Sequence, residues 1–274
     1  MAEGPTVFIE ACRLSWTEME EDVVEQVRLG RAKYLVLGLA GFTDAGWVAS
    51  FSSSFIINKL KARRLGELRG GGFLLSSSRP IATIKRGLVE GVVYPRGGEV
   101  FLANEGGVVV IRGEEPHFSW DAFIDEVLKL VEGAGVEEVY TLGGLVDFAE
   151  EAKVSAVVSL PGLQSLLEAC GVELINYEGP CSIYTALIER CARRGIGAIS
   201  LWGHVPYKHY VTLSKLRAPD VDASYKVLRT FCKLTKVRLP LNELEGEARR
   251  QLSLLEDVKE LRGGEGELKL GYAY

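Results

Sequence analysis

Apolar runs of strand length alternate along this chain with segments in which apolar residues recur at helical spacing. The runs over residues 6–11, 34–40 and 71–77 predict strands, because they are short and rich in β-branched and other apolar side chains. A helix is predicted over residues 45–64, directly after the second run. This alternation favours an α/β fold in which a mostly parallel central sheet is flanked by helices.

Two apolar runs within residues 91–116 are separated by the turn-forming stretches PRGGE and ANEGG. Strands joined by so few residues pair in antiparallel fashion, so this region predicts a β-hairpin insertion or an edge of the sheet. The strand–helix alternation then resumes. Helices are predicted over 119–135, 163–171 and 181–195, and strands over 137–145, 172–179 and 196–204.

The character of the chain changes at residue 219. Only helical patterns follow, over residues 220–237 and 241–262, and the last dozen residues are rich in glycine. The predicted organisation is therefore an α/β core domain over 1–218, a carboxyl-terminal helical segment over 219–262 and a flexible tail over 263–274.

Composition and charge narrow the functional class. The 274 residues are 47% apolar and 25% charged, the usual mixture of a globular protein, and the formal net charge is −5. That charge provides no broad basic field to attract nucleic acid, so we expect no nucleic-acid partner. No apolar run reaches the ~18 residues of a membrane span, and the amino terminus lacks the pattern of a signal peptide. We expect a cytoplasmic protein with no membrane partner.

The stretch GLAGFTDAGWVAS, residues 38–50, has the strand–glycine–helix layout of a phosphate-binding loop. It has no lysine, and its glycines at 38, 41 and 46 fit neither the P-loop nor the dinucleotide spacing. Asp44 is placed where its carboxylate can accept hydrogen bonds from the first amides of the following helix, in the space a phosphate would need. A structural turn is therefore favoured over a nucleotide site.

Two further glycine-containing sites are expected to follow strands, at Gly143–Gly144 and at Gly203–His204. Carboxyl ends of parallel strands meet at one edge of a sheet, so both sites predict a ligand rim shared with the glycine turn. His204 and His209 flank a proline and have no carboxylate or cysteine between them, which argues against a metal site. The five cysteines contain no CxxC motif. No catalytic residue, metal or cofactor is predicted.

These motifs together resemble those of the archaeal and bacterial relatives of proteasome assembly chaperone two. In that family an early strand leads into a Gly-(Trp/Phe)-x-Asp-Ala-Gly turn. The matching residues are Gly41, Phe42, Asp44, Ala45 and Gly46. The family's mid-chain strand with a glycine pair is matched by Gly143 and Gly144, and its later helix–strand unit by residues 192–207.

The resemblance implies an α/β fold related to the nucleoside phosphorylases but without their catalytic residues. It also implies a homo-oligomer. Some archaeal members bind the proteasome core particle through a tail in which a hydrophobic residue, a tyrosine and any residue end the chain. Here the last residues are Tyr272, Ala273 and Tyr274, so the penultimate tyrosine is missing.

Two functions follow as hypotheses. The first is a non-enzymatic, homo-oligomeric protein that resembles proteasome assembly chaperones and binds the core particle or its α-subunits, with the aromatic tail over 272–274 as a possible docking element. The second is an enzyme that binds a nucleoside or a phosphorylated small molecule at the strand-end rim. The absence of a recognisable catalytic constellation in the sequence favours the first.

Overall fold

The structure, a computed structural model, describes residues 23–68, 81–93 and 98–262. The predicted strands over 6–11 and 71–77 and the predicted tail over 263–274 lie outside these residues. The described chain begins in a helix, α1, over residues 23–29.

Among the described residues, eight strands form one mixed sheet and two more form a separate antiparallel hairpin. The strands are β1 Tyr34–Ala40, β2 Arg63–Glu67, β3 Ile81–Lys85, β4 Leu88–Val93, β5 Glu99–Ala103, β6 Val108–Glu114, β7 Glu138–Asp147, β8 Lys153–Val158, β9 Glu173–Leu174 and β10 Gly197–Pro206. The order across the sheet is β2-β5-β6-β1-β7-β10-β8-β9, and β3 with β4 forms the hairpin.

The centre of the sheet is parallel and its margins contain the antiparallel pairs. Strands β6, β1, β7 and β10 run in one direction, with Leu35 of β1 opposite Val109 and Val139 of its two neighbours. Strands β5 and β2 on one side and β8 on the other are paired antiparallel. The predicted α/β fold with a mostly parallel sheet and a hairpin insertion is confirmed, while its kinship with nucleoside phosphorylases stays a prediction.

Helices cover both faces of the sheet. They are α2 Val48–Lys59, α3 Trp120–Ala134, α4 Gly162–Ala169, α5 Ile183–Arg193, α6 Tyr207–Leu216, α7 Val221–Thr235 and α8 Asn242–Arg262. Burial of Phe231 of α7 with Tyr140 and Leu142 of β7 forms one apolar core, and burial of Phe123 and Tyr184 from α3 and α5 forms the other. No helix of the described residues is both long and apolar enough to cross a bilayer.

The structure corrects several element boundaries. The helix predicted over 45–64 is shorter, because Trp47 and Lys61 adopt left-handed backbone angles on either side of α2, and Arg63 already begins an edge strand. Strand β8 and helix α6 were not predicted; α6 begins immediately after Pro206, in a stretch interpreted as a loop. The predicted division at residue 218 stays a prediction.

The predicted hairpin region is also divided differently. Strand β4 pairs with β3, which precedes it, whereas β5 and β6 pair with each other inside the main sheet. Residues 91–116 therefore supply one strand of the separate hairpin and two strands of the central sheet.

Candidate functional site

The carboxyl ends of β6, β1, β7 and β10 lie at one edge of the sheet, which we call the rim. The family-like turn from Gly41 to Trp47 leaves β1 at this edge and leads into α2. Gly46 has a φ of 61°, a left-handed conformation that glycine adopts without steric cost. Trp47 has a φ of 57°, which is unusual for so large a side chain and marks a backbone held in place by its surroundings.

Asp44 stabilises this turn through its carboxylate. Oδ1 accepts a hydrogen bond from the amide of Ser50, the third residue of α2, over 3.0 Å. The N-cap of α2 is Trp47 and not Asp44. The carboxylate of Asp44 therefore reaches the first turn of α2 from a position three residues before the N-cap. Burial raises the pKa of Asp44 to about 6 despite these hydrogen bonds, because desolvation disfavours the charged form.

The two glycine sites predicted to follow strands lie within them. Strand β7 continues to Asp147 and β10 to Pro206, and Gly144 is the register partner of Gly203. A β-carbon on Gly144 would lie 2.2 Å from the carbonyl oxygen of Ala45, so only glycine lets the turn pack directly on the strand. The amide of Gly144 also donates to the carbonyl of Thr43 over 2.8 Å, which fixes the turn to β7.

A cleft of about 410 Å³ opens at the rim between this turn and α6. It is lined by Gly41, Phe42, Asp44, Ala45, Gly46, Trp47, Gly144, Leu145, Val146, Trp202, Tyr210, Leu213, Ser214 and Ala218. Six residues of the family-like turn and one of the paired glycines thus contribute to one cavity. Gly143, Gly203 and His204 are not among the lining residues and belong to the strands beneath it.

His204 is buried and links two neighbouring strands. Its Nδ1 lies 2.6 Å from Oδ2 of Asp147 at the end of β7, and its Nε2 lies 2.7 Å from Oγ of Ser155 on β8. The hydrogen bond from His204 lowers the pKa of Asp147. The three side chains stand in the order of a hydrolytic triad, but Ser155 is completely buried and therefore cannot meet a substrate. The arrangement serves to connect β7, β8 and β10.

A second histidine, His209 of α6, lies over the other side of the turn. Its Nδ1 is 3.8 Å from Oδ2 of Asp220, and both atoms are buried without a hydrogen-bond partner among the described residues. Asp220 caps α7 by accepting from the amide of Ala223, and its own amide donates to the carbonyl of Gly46 over 2.8 Å. Through Asp220 the rim turn is therefore joined to the start of α7.

Large apolar side chains surround the cleft and are exposed. We call this set the rim patch: Phe42, Trp47, Val146, Phe148 and Tyr207. Phe42 is 74% exposed and Phe148 is 85% exposed. The ring centroids of Phe148 and Tyr207 lie 5.5 Å apart. Clustered exposed aromatic side chains are typical of surfaces that bind a partner.

Sequence reasoning did not find Asp147, Ser155, Trp47 or Trp202. Ser155 lies in a strand that was not predicted, and Asp147 follows a glycine pair at which the strand was expected to end. Trp47 follows Gly46 in the glycine-rich turn, and so large a side chain at that position could have indicated a functional residue. Tyr272, Ala273 and Tyr274 lie outside the described residues.

Comparison with known proteins shows what the chain is similar to. A solved structure of a PAC2 family protein from Streptomyces avermitilis has 30% sequence identity, covers 83% of this chain and 95% of its own, and has a TM-score of 0.70. A proteasome-assembly chaperone homologue of Mycobacterium tuberculosis has 23% identity, covers 83% and 94%, and has the same TM-score of 0.70.

A more distant structure is an archaeal proteasome activator of Pyrococcus furiosus, with 21% identity, coverage of 82% and 93%, and a TM-score of 0.59. No curated protein matches the chain. The model of the PAC2 family matches residues 38–259, which include the rim turn, both glycine sites and most of α8. The chain therefore belongs to the PAC2 family.

Proposed function

We propose that this protein is a non-enzymatic, homo-oligomeric assembly factor that binds the proteasome core particle or its α-subunits. The observation that carries the proposal is the rim patch. Its aromatic side chains lie around a turn whose backbone is fixed on both sides, by Gly144 and by Asp220. Rigid, exposed aromatic groups are the anchors that protein interfaces use most.

The relatives support the choice of partner. One similar structure is named as a proteasome-assembly chaperone homologue and another as a proteasome activator. The only hydrolytic-type arrangement that we find among the described residues contains a fully buried serine, which favours binding over catalysis.

Binding of purified core particle, from the organism that encodes this chain, tests the proposal. We expect the protein to bind, and the double substitution of Phe42 and Phe148 by serine to weaken binding by about tenfold or more, since each anchor is worth ~1 kcal/mol or more. Leu88→Ser is the matched control, because Leu88 is equally exposed but lies on the β3–β4 hairpin. Absence of binding by the wild-type protein would refute the proposal.

Two measurements complete the test. A variant lacking residues 272–274 separates the two docking elements: loss of binding would assign docking to the tail, and unchanged or tighter binding would assign it to the rim patch. Sedimentation equilibrium measures the mass of the assembly, and a monomer at micromolar concentration would remove the homo-oligomer from the proposal.

The alternative function is an enzyme that binds a nucleoside or a phosphorylated ligand in the cleft. Its supporting observation is the cavity itself, in which the Asp44 carboxylate has a pKa raised to about 6 by burial. Stabilisation of the protein against heat by a nucleoside or nucleotide would favour this alternative, and no shift across a panel of such compounds would argue against it.

A further inference from the structure

We propose that the cleft at the rim is the docking site of the chain's own carboxyl-terminal tail, residues 263–274, with the side chains of Tyr272 and Tyr274 in the cavity. This inference does not depend on the identity of any protein partner. It rests on where the described chain ends, on the pattern of the tail and on the chemistry of the cleft.

The direction of α8 brings the chain to the rim. Gln251 of α8 accepts a hydrogen bond from the amide of Val221 over 2.9 Å and donates to the carbonyl of Pro219 over 2.8 Å. Both partners are within three residues of Ala218, which lines the cleft. From Gln251 to Arg262 the helix rises about 16 Å, so the tail starts within that distance of Gln251.

The tail is long enough to reach back to the cleft from the end of α8. Twelve residues follow Arg262, and an extended chain of that length spans about 40 Å. Its first residues, GGEG, contain three glycines, which permit the reversal of direction that docking needs.

The tail sequence alternates large apolar residues with small or polar ones. The large residues are Leu268, Leu270, Tyr272 and Tyr274, and the intervening ones are Lys269, Gly271 and Ala273. In an extended segment alternate side chains point to the same side, so docking in this form presents four apolar side chains together. Such a face is stabilised only when an apolar surface covers it.

The cleft offers that surface and complementary polar groups. Trp47, Trp202 and Tyr210 provide aromatic walls, and tyrosine rings bind favourably against other rings in offset or edge contacts. The Asp44 carboxylate can accept a hydrogen bond from a buried tyrosine hydroxyl.

Photo-crosslinking of the full chain tests this assignment. With p-benzoylphenylalanine in place of Tyr274, we expect a crosslinked product that keeps the mass of one chain on a denaturing gel and maps to residues 41–47 or 210–218. The same group at Ala273 is the matched control and should give little of this product, since in an extended tail the side chain at 273 would face the side opposite to those at 272 and 274.

Each other result would overturn the proposal. A product with twice the mass would assign the tail to a second copy, a crosslink outside the two segments would place it elsewhere, and the absence of product would mean that the tail does not dock. Failure of proteasome binding leaves all of these outcomes unaffected.

Discussion

A β-carbon at Gly144 would lie 2.2 Å from the carbonyl oxygen of Ala45, much closer than a van der Waals contact allows. The backbone of this turn is itself held by hydrogen bonds. The rim turn and the end of β7 are thus packed at a distance that no other residue allows. This contact and the hydrogen bond from the amide of Gly144 to the carbonyl of Thr43 together set the position of the rim turn on β7.

Gly144→Ala is therefore expected to destabilise the protein by about 1–3 kcal/mol or more, because the turn must shift to admit the methyl group. Urea unfolding followed by circular dichroism measures the change. Gly162→Ala is the control: nothing lies within 4 Å of that position, and α4 gains a better helix former, so stability should stay equal or rise. Equal effects of both substitutions would contradict the packing argument.

The pH dependence of stability should carry a contribution from Asp44. Its folded pKa, raised by burial to about 6, exceeds the unfolded value of 3.8, so the contribution to stability is complete below pH 4 and is lost as the pH rises through 6. The loss amounts to roughly 3 kcal/mol. In Asp44→Asn this part of the pH dependence should vanish, which urea unfolding at pH 4.5 and 7.5 can measure.

Asp44→Ala separates the charge from the hydrogen bond to Ser50. It should also remove the pH dependence, yet cost about 1 kcal/mol relative to Asp44→Asn, because the amide of Ser50 loses its acceptor. An unchanged pH profile in both variants would show that this carboxylate is not the titrating group.

Replacement of His204 should lower the stability of the protein, because it leaves the buried hydroxyl of Ser155 without a hydrogen-bond partner. In His204→Leu the hydroxyl of Ser155 loses its partner inside the protein, and we expect a loss of about 1–3 kcal/mol in the free energy of unfolding. Adding Ser155→Ala should restore part of that loss, since no hydroxyl then remains unpaired. A further loss in the double variant would contradict this account of the contact.

Asp147, whose carboxylate contacts His204, makes a separate contribution to stability that can be measured at acid pH. The hydrogen bond from His204 lowers the folded pKa of Asp147, so this group stabilises the protein above pH 4 and its contribution is lost as the pH falls through the folded pKa. Wild type and Asp147→Asn should therefore converge in stability as the pH is lowered towards 3, as measured by thermal unfolding between pH 3 and 6.

Gln251 joins α8 to the start of α7 through two hydrogen bonds. Gln251→Ala should cost about 1–2 kcal/mol and increase amide hydrogen exchange at residues 219–223. Arg249→Ala removes only an exposed ion pair with Glu245 and should leave both measurements nearly unchanged. The crosslink from p-benzoylphenylalanine at position 274 to the cleft should also be lost in Gln251→Ala and kept in Arg249→Ala. The reason is that the hydrogen bonds of Gln251 hold α8, from which the tail extends, against the start of α7.

The fold was accessible from sequence where the pattern was long and regular. The alternation of strands and helices predicted the central sheet, and the apolar run over 34–40 gave β1 with its observed bounds. Boundaries failed where tertiary contacts decide them. Gly143 and Gly144 look like a strand end, yet they lie inside β7, where Gly144 packs against the rim turn and Gly143 against Trp202 of β10. Helix α6 begins directly after Pro206, and local propensity around that proline indicated a loop.

The candidate site was accessible only in part. The turn residues Gly41, Phe42, Asp44, Ala45 and Gly46 were identified through their resemblance to the family motif, and all five line the cleft. The contact of His204 with Ser155 depends on the pairing of β8 with β10, and its contact with Asp147 depends on the pairing of β7 with β10. These pairs lie 49 and 57 positions apart in sequence and have no local signal.

The fixed backbone of the rim turn has a consequence for recognition. Trp47 and Phe42 are carried by a loop that is already immobilised by β7 on one side and by the start of α7 on the other. A molecule that binds there meets a surface whose shape exists before the encounter, so little conformational entropy is lost on the side of this protein. The rim therefore acts as a preformed template, and differences in affinity among its ligands should arise from how much order each ligand must itself acquire.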